Sequence, residues 1–232
     1  MTNKTTVELC GVSNPGWSFT PDRIEQLILI DEWIFGQDMN KNQTYKGLQE
    51  ELSKEKGKNI VSKIRMFFPL LKDMGYINEY KDEFTLKDIY TKTGYQFIHL
   101  FLRVYIHRYK FSENIRLKID DVFVNYMMIG IKNLVRRKPF YPYMMNNIHE
   151  AGKIDKIDFF IITDCDYKNE QDKVRLNLRN RNDDVYNYKI IKNQNAYGYI
   201  IPLFLQSGLL VENNDKTLSV SNLYLKYFLE DK

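Results

Sequence analysis

Two groups of residues in this 232-residue chain have types and spacing that could do chemistry. The first is acidic. Asp158 stands ahead of Phe-Phe-Ile-Ile-Thr, and Asp164, Asp166 and Lys168 follow. A nuclease centre of the Asp…(Asp/Glu)-x-Lys kind holds Mg²⁺ between two carboxylates on adjacent strands, with a lysine near the attacking water. The eight residues from Asp158 to Asp166 are few for a separate hairpin strand, so a charged loop after an apolar element is the simpler expectation. Glu79-Tyr-Lys81 and Glu230-Asp-Lys232 are poorer matches. No catalytic residue is assigned, and no cofactor is expected beyond Mg²⁺ should the chain cleave nucleic acid.

The second group is basic and amide-rich. Residues 54–72 hold six Lys or Arg against Glu55, residues 103–118 hold five against Glu113, and residues 132–138 hold four and no acid. The whole chain carries only +4, so the charge is clustered, as a polyanion partner requires. Within these stretches Lys58, Asn59, Ser62, Lys63 and Arg65 fall on the polar side of one helical pattern, and Arg136 and Arg137 end another. Further on, Lys192-Asn193-Gln194-Asn195 precede Tyr197 and an apolar helix. Cations neutralise phosphates, whereas Asn and Gln can bond the edge of adenine in two places.

Other chemistries find no residues. Cys10 and Cys165 are too few for a disulfide scaffold and lack metal-type spacing, which predicts reduced thiols in the cytoplasm. His99, His107 and His149 complete no zinc site with them, and read as surface or packing residues. There is no Gly-x-Ser-x-Gly, phosphate-binding loop or His-Glu-x-x-His. Apolar runs break well before the roughly 18 residues of a membrane span, and the N-terminus has no signal-peptide pattern. Seventeen Tyr and fourteen Phe exclude a disordered chain, and only eleven Gly and six Pro disfavour a sandwich or barrel.

The elements that must position these groups are mainly helical. Thr20 and Pro21 open a helix whose stripe is Ile24, Leu27, Ile28, Ile34 and Phe35, and Gly36 ends it. A second helix runs from about Thr44 to Gly57. A third starts near Asn59, with Ile60, Ile64, Phe67, Phe68 and Leu71 on one face, and stops at Gly75. Tyr76–Tyr80 and Phe84–Ile89 flank a charged tip as a hairpin. Residues 94–110 and 120–137 follow as helices. Residues 155–163 suit either a strand or a buried helix, and residues 170–181 form a charged helix.

The chain also repeats itself. Phe68-Pro69-Leu70-Leu71 through Gly75 to Glu79 recurs 133 residues later as Ile201-Pro202-Leu203-Phe204 through Gly208 to Glu212. Past the hairpin tip the offset becomes 134, pairing Phe84 with Leu218 and Tyr90 with Tyr224. Each internal proline should kink or restart its helix. Helices followed by a hairpin, met twice, predict two winged helix-turn-helix units around a helical middle, mainly α with small β-hairpins. The expected domains are 1–110 and 111–232.

Two linked winged helices, the lead Trp17-Ser-Phe-Thr-Pro-Asp-Arg-Ile24 and the Leu-x-x-Gly-Leu-Leu-Val entry at Leu205 to Val211 resemble the DNA-recognition region of type IIS restriction endonucleases. The resemblance implies a recognition lobe or specificity subunit, with cleavage by a separate domain or subunit. The expected partner is double-stranded DNA with an asymmetric site, since unlike halves need no matching half-sites. Plasmid replication initiators and transcription regulators with tandem winged helices fit the same pattern. So does a protein-interaction scaffold displaying Tyr141, Tyr143, Tyr186 and Tyr188.

Overall fold

A computed structural model describes residues 4–13, 17–80, 82–110, 121–164, 171–183 and 185–229, without the side chains of 58–62, 108–110, 171 and 182. It is mostly helical, with three two-stranded sheets among the described residues. No helix of the described residues is long and apolar enough to cross a membrane. The chain divides into two compact units, one of residues 16–137 and one that joins residues 1–15 to 138–232. The first strand, β1 (Thr5–Cys10), is grouped with residues 138–232.

The N-terminal unit starts with α1 (Pro21–Phe35), in which Pro21 occupies the first turn, where its missing N–H has no partner to lose. Ile24, Leu27, Ile30 and Ile34 of its apolar stripe are fully buried. Strand β2 (Asn42–Gln43) leads to α2 (Tyr45–Lys56), whose first turn is capped by the Thr44 hydroxyl accepting from Gly47 N at 3.0 Å. Gly57 alone separates it from α3 (Lys58–Asp73), which buries Ile64, Phe67, Phe68 and Leu71. The chain returns through a bridge of Ile77 to Tyr90 and through β3 (Phe84–Thr85), which pairs with β2. A single turn, α4 (Lys92–Gly94), continues as a π-helical stretch over Tyr95–Phe101 and as α5 (Leu102–Lys110). Helix α6 (Asp121–Arg137) closes the unit.

The C-terminal unit holds α7 (Phe140–Ala151), α8 (Lys156–Asp164), α9 (Gln171–Arg179), β4 (Tyr186–Lys192), α10 (Ala196–Gln206), the hairpin β5 (Leu210–Glu212) and β6 (Leu218–Val220), and the turn α11 (Asn222–Tyr224). The run 155–163 is thus helical. Its Phe159, Phe160, Ile161 and Ile162 are all fully buried, which explains why no amphipathic period marks it. Strand β4 pairs in parallel with β1, a pairing nothing in the local sequence announces. Tyr141 and Tyr143 are buried in this unit, which removes them from any displayed aromatic surface.

The internal repeat is visible in the hydrogen bonds of both units. At the end of α3, Gly75 N bonds Lys72 O and Tyr76 N bonds Leu71 O. At the end of α10, Gly208 N bonds Leu205 O and Leu209 N bonds Phe204 O. Both glycines have left-handed φ, +77° and +72°, as a Schellman cap needs. Gln43, just before the cap residue Thr44, pairs with Phe84; Ile154, just before Asp155, pairs with Leu218.

Beyond that point the register corrects the sequence alignment. Tyr90 is matched by Val220, because Ile77 faces Tyr90 as Leu210 faces Val220. Thr91 and Ser221 occupy one role. Each hydroxyl donates to the cap glycine's carbonyl (Gly75 O 2.8 Å, Gly208 O 2.5 Å) and accepts from a backbone N–H three residues on. The offset there is 130, since the 3₁₀ turn Leu86–Asp88 has no counterpart between β6 and Ser221. Tyr224 therefore stands where the first copy has Gly94.

Neither proline restarts its helix. Pro69 lies inside α3 and Pro202 inside α10, both within continuous helices. Pro69 is exposed and Pro202 half-buried, so the carbonyls they leave unbonded, at Arg65 and Gly198, lie on the water side.

Candidate functional site

The basic residues of the N-terminal unit gather on α3. Backbone positions 58, 59 and 62 occupy its first two turns, so Lys58, Asn59 and Ser62 lie on the same helix as Lys63 and Arg65. The Lys63 ammonium rests 5.4 Å from the centre of the Trp17 ring, whose other contacts include Arg23 at 4.7 Å and Phe67 at 3.9 Å. Arg65 is exposed, and its Nε donates to Gln49 Oε1 of α2 at 3.3 Å. Burial pushes the nearby Tyr45 phenol up, opposed by its bond with Gln49 and by the charge of Arg65. Arg65 is thus exposed on α3, while Lys63 is half-buried against the Trp17 ring. At the far end, Arg137 donates to Lys72 O at 2.6 Å and caps the helix, while Arg136 is exposed. The hairpin beside α3 is acidic at its tip, where Glu79, Asp82 and Glu83 are exposed.

The amide-rich run of the C-terminal unit is a turn between β4 and α10. Asn193 adopts left-handed φ (+49°) and donates its side-chain amide to Gly11 O at 2.7 Å. Gln194 donates back to Ile190 O at 3.0 Å. Both amides thus hold the turn in shape, and both residues are exposed. Lys192 and Asn195 are exposed, and Asn195 makes no side-chain cap to α10. Tyr197 is half-buried with its ring edge-on to Phe159 at 5.3 Å, and burial raises its phenol. The helix that follows, Ala196–Gln206, contains no Lys or Arg.

The acidic candidates divide. Asp166 and Lys168 lie outside the described residues. Asp158 sits on α8, not on a strand, and has a structural occupation. Asp155 Oδ1 accepts from Asp158 N at 2.9 Å while Asp158 Oδ2 accepts from Asp155 N at 2.9 Å, a reciprocal cap of the helix start. Burial drives the Asp158 carboxyl upward against the Asp155 N–H bond, and the Asp155 carboxylate adds to the rise. Arg181 balances both acids, 3.1 Å from Asp155 Oδ2 and 3.5 Å from Asp158 Oδ1. Among the described residues no group of three or more His, Cys, Asp or Glu could hold a metal ion.

Two clusters escaped the sequence reading. Asp31, fully buried on α1, accepts at Oδ2 from Arg103 at 2.6 Å and meets His99 Nδ1 at 2.9 Å. His99 packs against the rings of both Phe35 (3.9 Å) and Tyr95 (4.8 Å), which also touch each other at 5.8 Å. Burial, and then the Asp31 carboxylate, push the Tyr90 phenol far up. The second cluster is a cleft lined by arginines in the C-terminal unit. The four-residue spacing of Arg175 and Arg179 was its one visible signal. No family model, curated protein or solved structure matches the chain.

Proposed function

We propose that the chain binds double-stranded DNA in a sequence-specific manner, each unit being a winged helix and α3 the helix that enters the major groove. The observation that carries this reading is the run of basic residues on α3, with Arg65 exposed and Lys63 half-buried. The helix lies across a tight Gly57 junction from α2 and ahead of a hairpin, an order the C-terminal unit follows with α9 and β4 inserted between α8 and α10. Lys63 neutralises phosphates; Arg65, held in its plane by Gln49, is the base-reading candidate. The acidic hairpin tip stays clear of the phosphates, so this unit grips through its helix.

The C-terminal unit differs, since α10 brings no cation. Its contacts come from the exposed Lys192, Asn193 and Gln194. Unequal halves bind an asymmetric site as a monomer. In its finer form the reading makes the chain a cytoplasmic recognition lobe or specificity subunit of a restriction system, with cleavage supplied elsewhere.

Selection of bound duplexes from a random library, then affinity for the winner and a scrambled duplex, tests the proposal. An asymmetric consensus preferred by about 4 kcal/mol or more supports it. No enrichment overturns it.

A further inference from the structure

Backbone positions 58, 62, 65 and 69 of α3 share one face, following each other at intervals of three or four residues. Arg65 stands in the middle of that face and is exposed, as is Pro69 one turn on. Its guanidinium is tied along one edge, where Nε donates to Gln49 Oε1 at 3.3 Å. Gln49 belongs to α2 and is buried, at 9% exposure. Burial raises the Tyr45 phenol and a bond from the Gln49 amide opposes the rise, so the phenol oxygen accepts from Gln49. Tyr45 packs in turn on the rings of Tyr80 (4.6 Å) and Phe68 (5.8 Å), and Phe68 is fully buried. The acceptor that meets Arg65 is therefore fixed by the core of the unit.

A guanidinium holds five N–H donors in one rigid plane and has no acceptor. With Nε taken by Gln49, the two terminal nitrogens remain side by side as a pair of parallel donors. Along the major groove only guanine offers two neighbouring acceptors, N7 and O6. Adenine sets one acceptor beside a donor, thymine has one acceptor, and cytosine offers a donor. A phosphate also accepts such a fork, but phosphates line the rims of the groove, whereas Arg65 is central on its face of the helix. Lys63, half-buried against the Trp17 ring, is a point charge without a fork.

We propose that Arg65 reads a guanine of the bound duplex through its two terminal nitrogens, with Gln49 as the positioning residue that fixes the guanidinium plane. This rests on the reading of α3 as the recognition helix and adds what that helix selects, a G·C pair facing Arg65.

Selection of duplexes by the parent chain and by Arg65→Lys, followed by affinities for the consensus and its single base-pair changes, tests the inference. One G·C pair is expected whose change to A·T weakens binding by the parent about tenfold or more. Arg65→Lys is a surface change that keeps the charge and loses the fork, so that penalty falls below about threefold while the penalties at other positions stay. Gln49→Ala lowers the same penalty, and Gln49→Glu restores it, because a carboxylate there also accepts from Nε; a merely structural role for Gln49 gives no such rescue. Penalties that all survive Arg65→Lys, or an Arg65-dependent position that is not G·C, overturn the inference and leave recognition of DNA by the chain standing. So does an equal weakening of every duplex in Arg65→Lys, which places the side chain on a phosphate. A full penalty in Gln49→Ala overturns the part given to Gln49. No consensus at all overturns the inference together with the reading of α3.

Discussion

Replacing Asp31 with alanine leaves Arg103 and His99 facing a hole where their shared acceptor stood. The carboxylate is fully buried and holds Arg103 NH2 at 2.6 Å and His99 Nδ1 at 2.9 Å. Removing one partner of a buried ion pair costs about 3–5 kcal/mol. Here the cost is smaller, because the Arg103 side chain is 31% exposed and reaches Glu32 at 3.5 Å, so water and a second acid take up part of the charge. About 2–3 kcal/mol is the expected loss. Trp17 and Trp33 are the chain's only tryptophans and both lie in the N-terminal unit, so urea unfolding followed by their fluorescence reports this unit alone. With a urea slope of about 1–3 kcal/mol/M, the midpoint drops by about 0.7 M or more. Asp31→Leu combined with Arg103→Met restores part of the loss, since fewer buried groups then lack a partner. A midpoint within about 0.3 M of the parent in Asp31→Ala refutes the pairing as a structural tie.

Thr91→Ala and Ser221→Ala each cost about 1–2 kcal/mol, because both hydroxyls bond a cap glycine's carbonyl and cap the next helix. Calorimetry that finds one of them silent contradicts their equivalence. Gly94→Ala prevents folding of the N-terminal unit, since the new Cβ would sit 1.6 Å from Tyr76 O; a well-dispersed NMR spectrum of the variant refutes this. Burial pushes the Tyr224 phenol up to about 12. A pKa raised above the unfolded value of 10 gives stability that is complete below pH 10 and lost as pH climbs through 12, so alkaline unfolding of the C-terminal unit falls in that window. In Tyr224→Phe, circular dichroism against pH should show that loss diminished.

How much of this was legible in the sequence depended on the range of the interactions. Helix α1 was readable to the residue because Thr20-Pro21, a regular apolar stripe and Gly36 all mark it locally. The glycine caps at 75 and 208 were readable for the same reason. The pairing of β1 with β4 was not, as its partners lie some 180 residues apart and parallel strands leave no hairpin signal. The repeat was sound up to Phe84 and Leu218. It slipped beyond them because Tyr90 and Tyr224 look alike while the 3₁₀ turn at Leu86–Asp88 is present in only one copy. In the candidate site, Lys63 and Arg65 were readable from helical spacing alone. The structural duties of Asn193 and Asp158 were hidden, since each depends on backbone geometry at a turn or a helix start. The pairing of Asp31 with His99 and Arg103 was equally hidden, because it joins α1 to a segment 68 residues on.

The most direct measurement is affinity for the selected duplex as a function of salt, for the parent chain and for Lys63→Ala and Arg65→Ala. A phosphate contact made by Lys63 lowers the slope of log affinity against log salt by about 0.9 when removed. Loss of Arg65 should weaken the selected duplex by about 1–3 kcal/mol more than a scrambled one. That pair of results is what a DNA-reading α3 predicts. An unchanged slope in the first variant, with equal effects on both duplexes in the second, contradicts it.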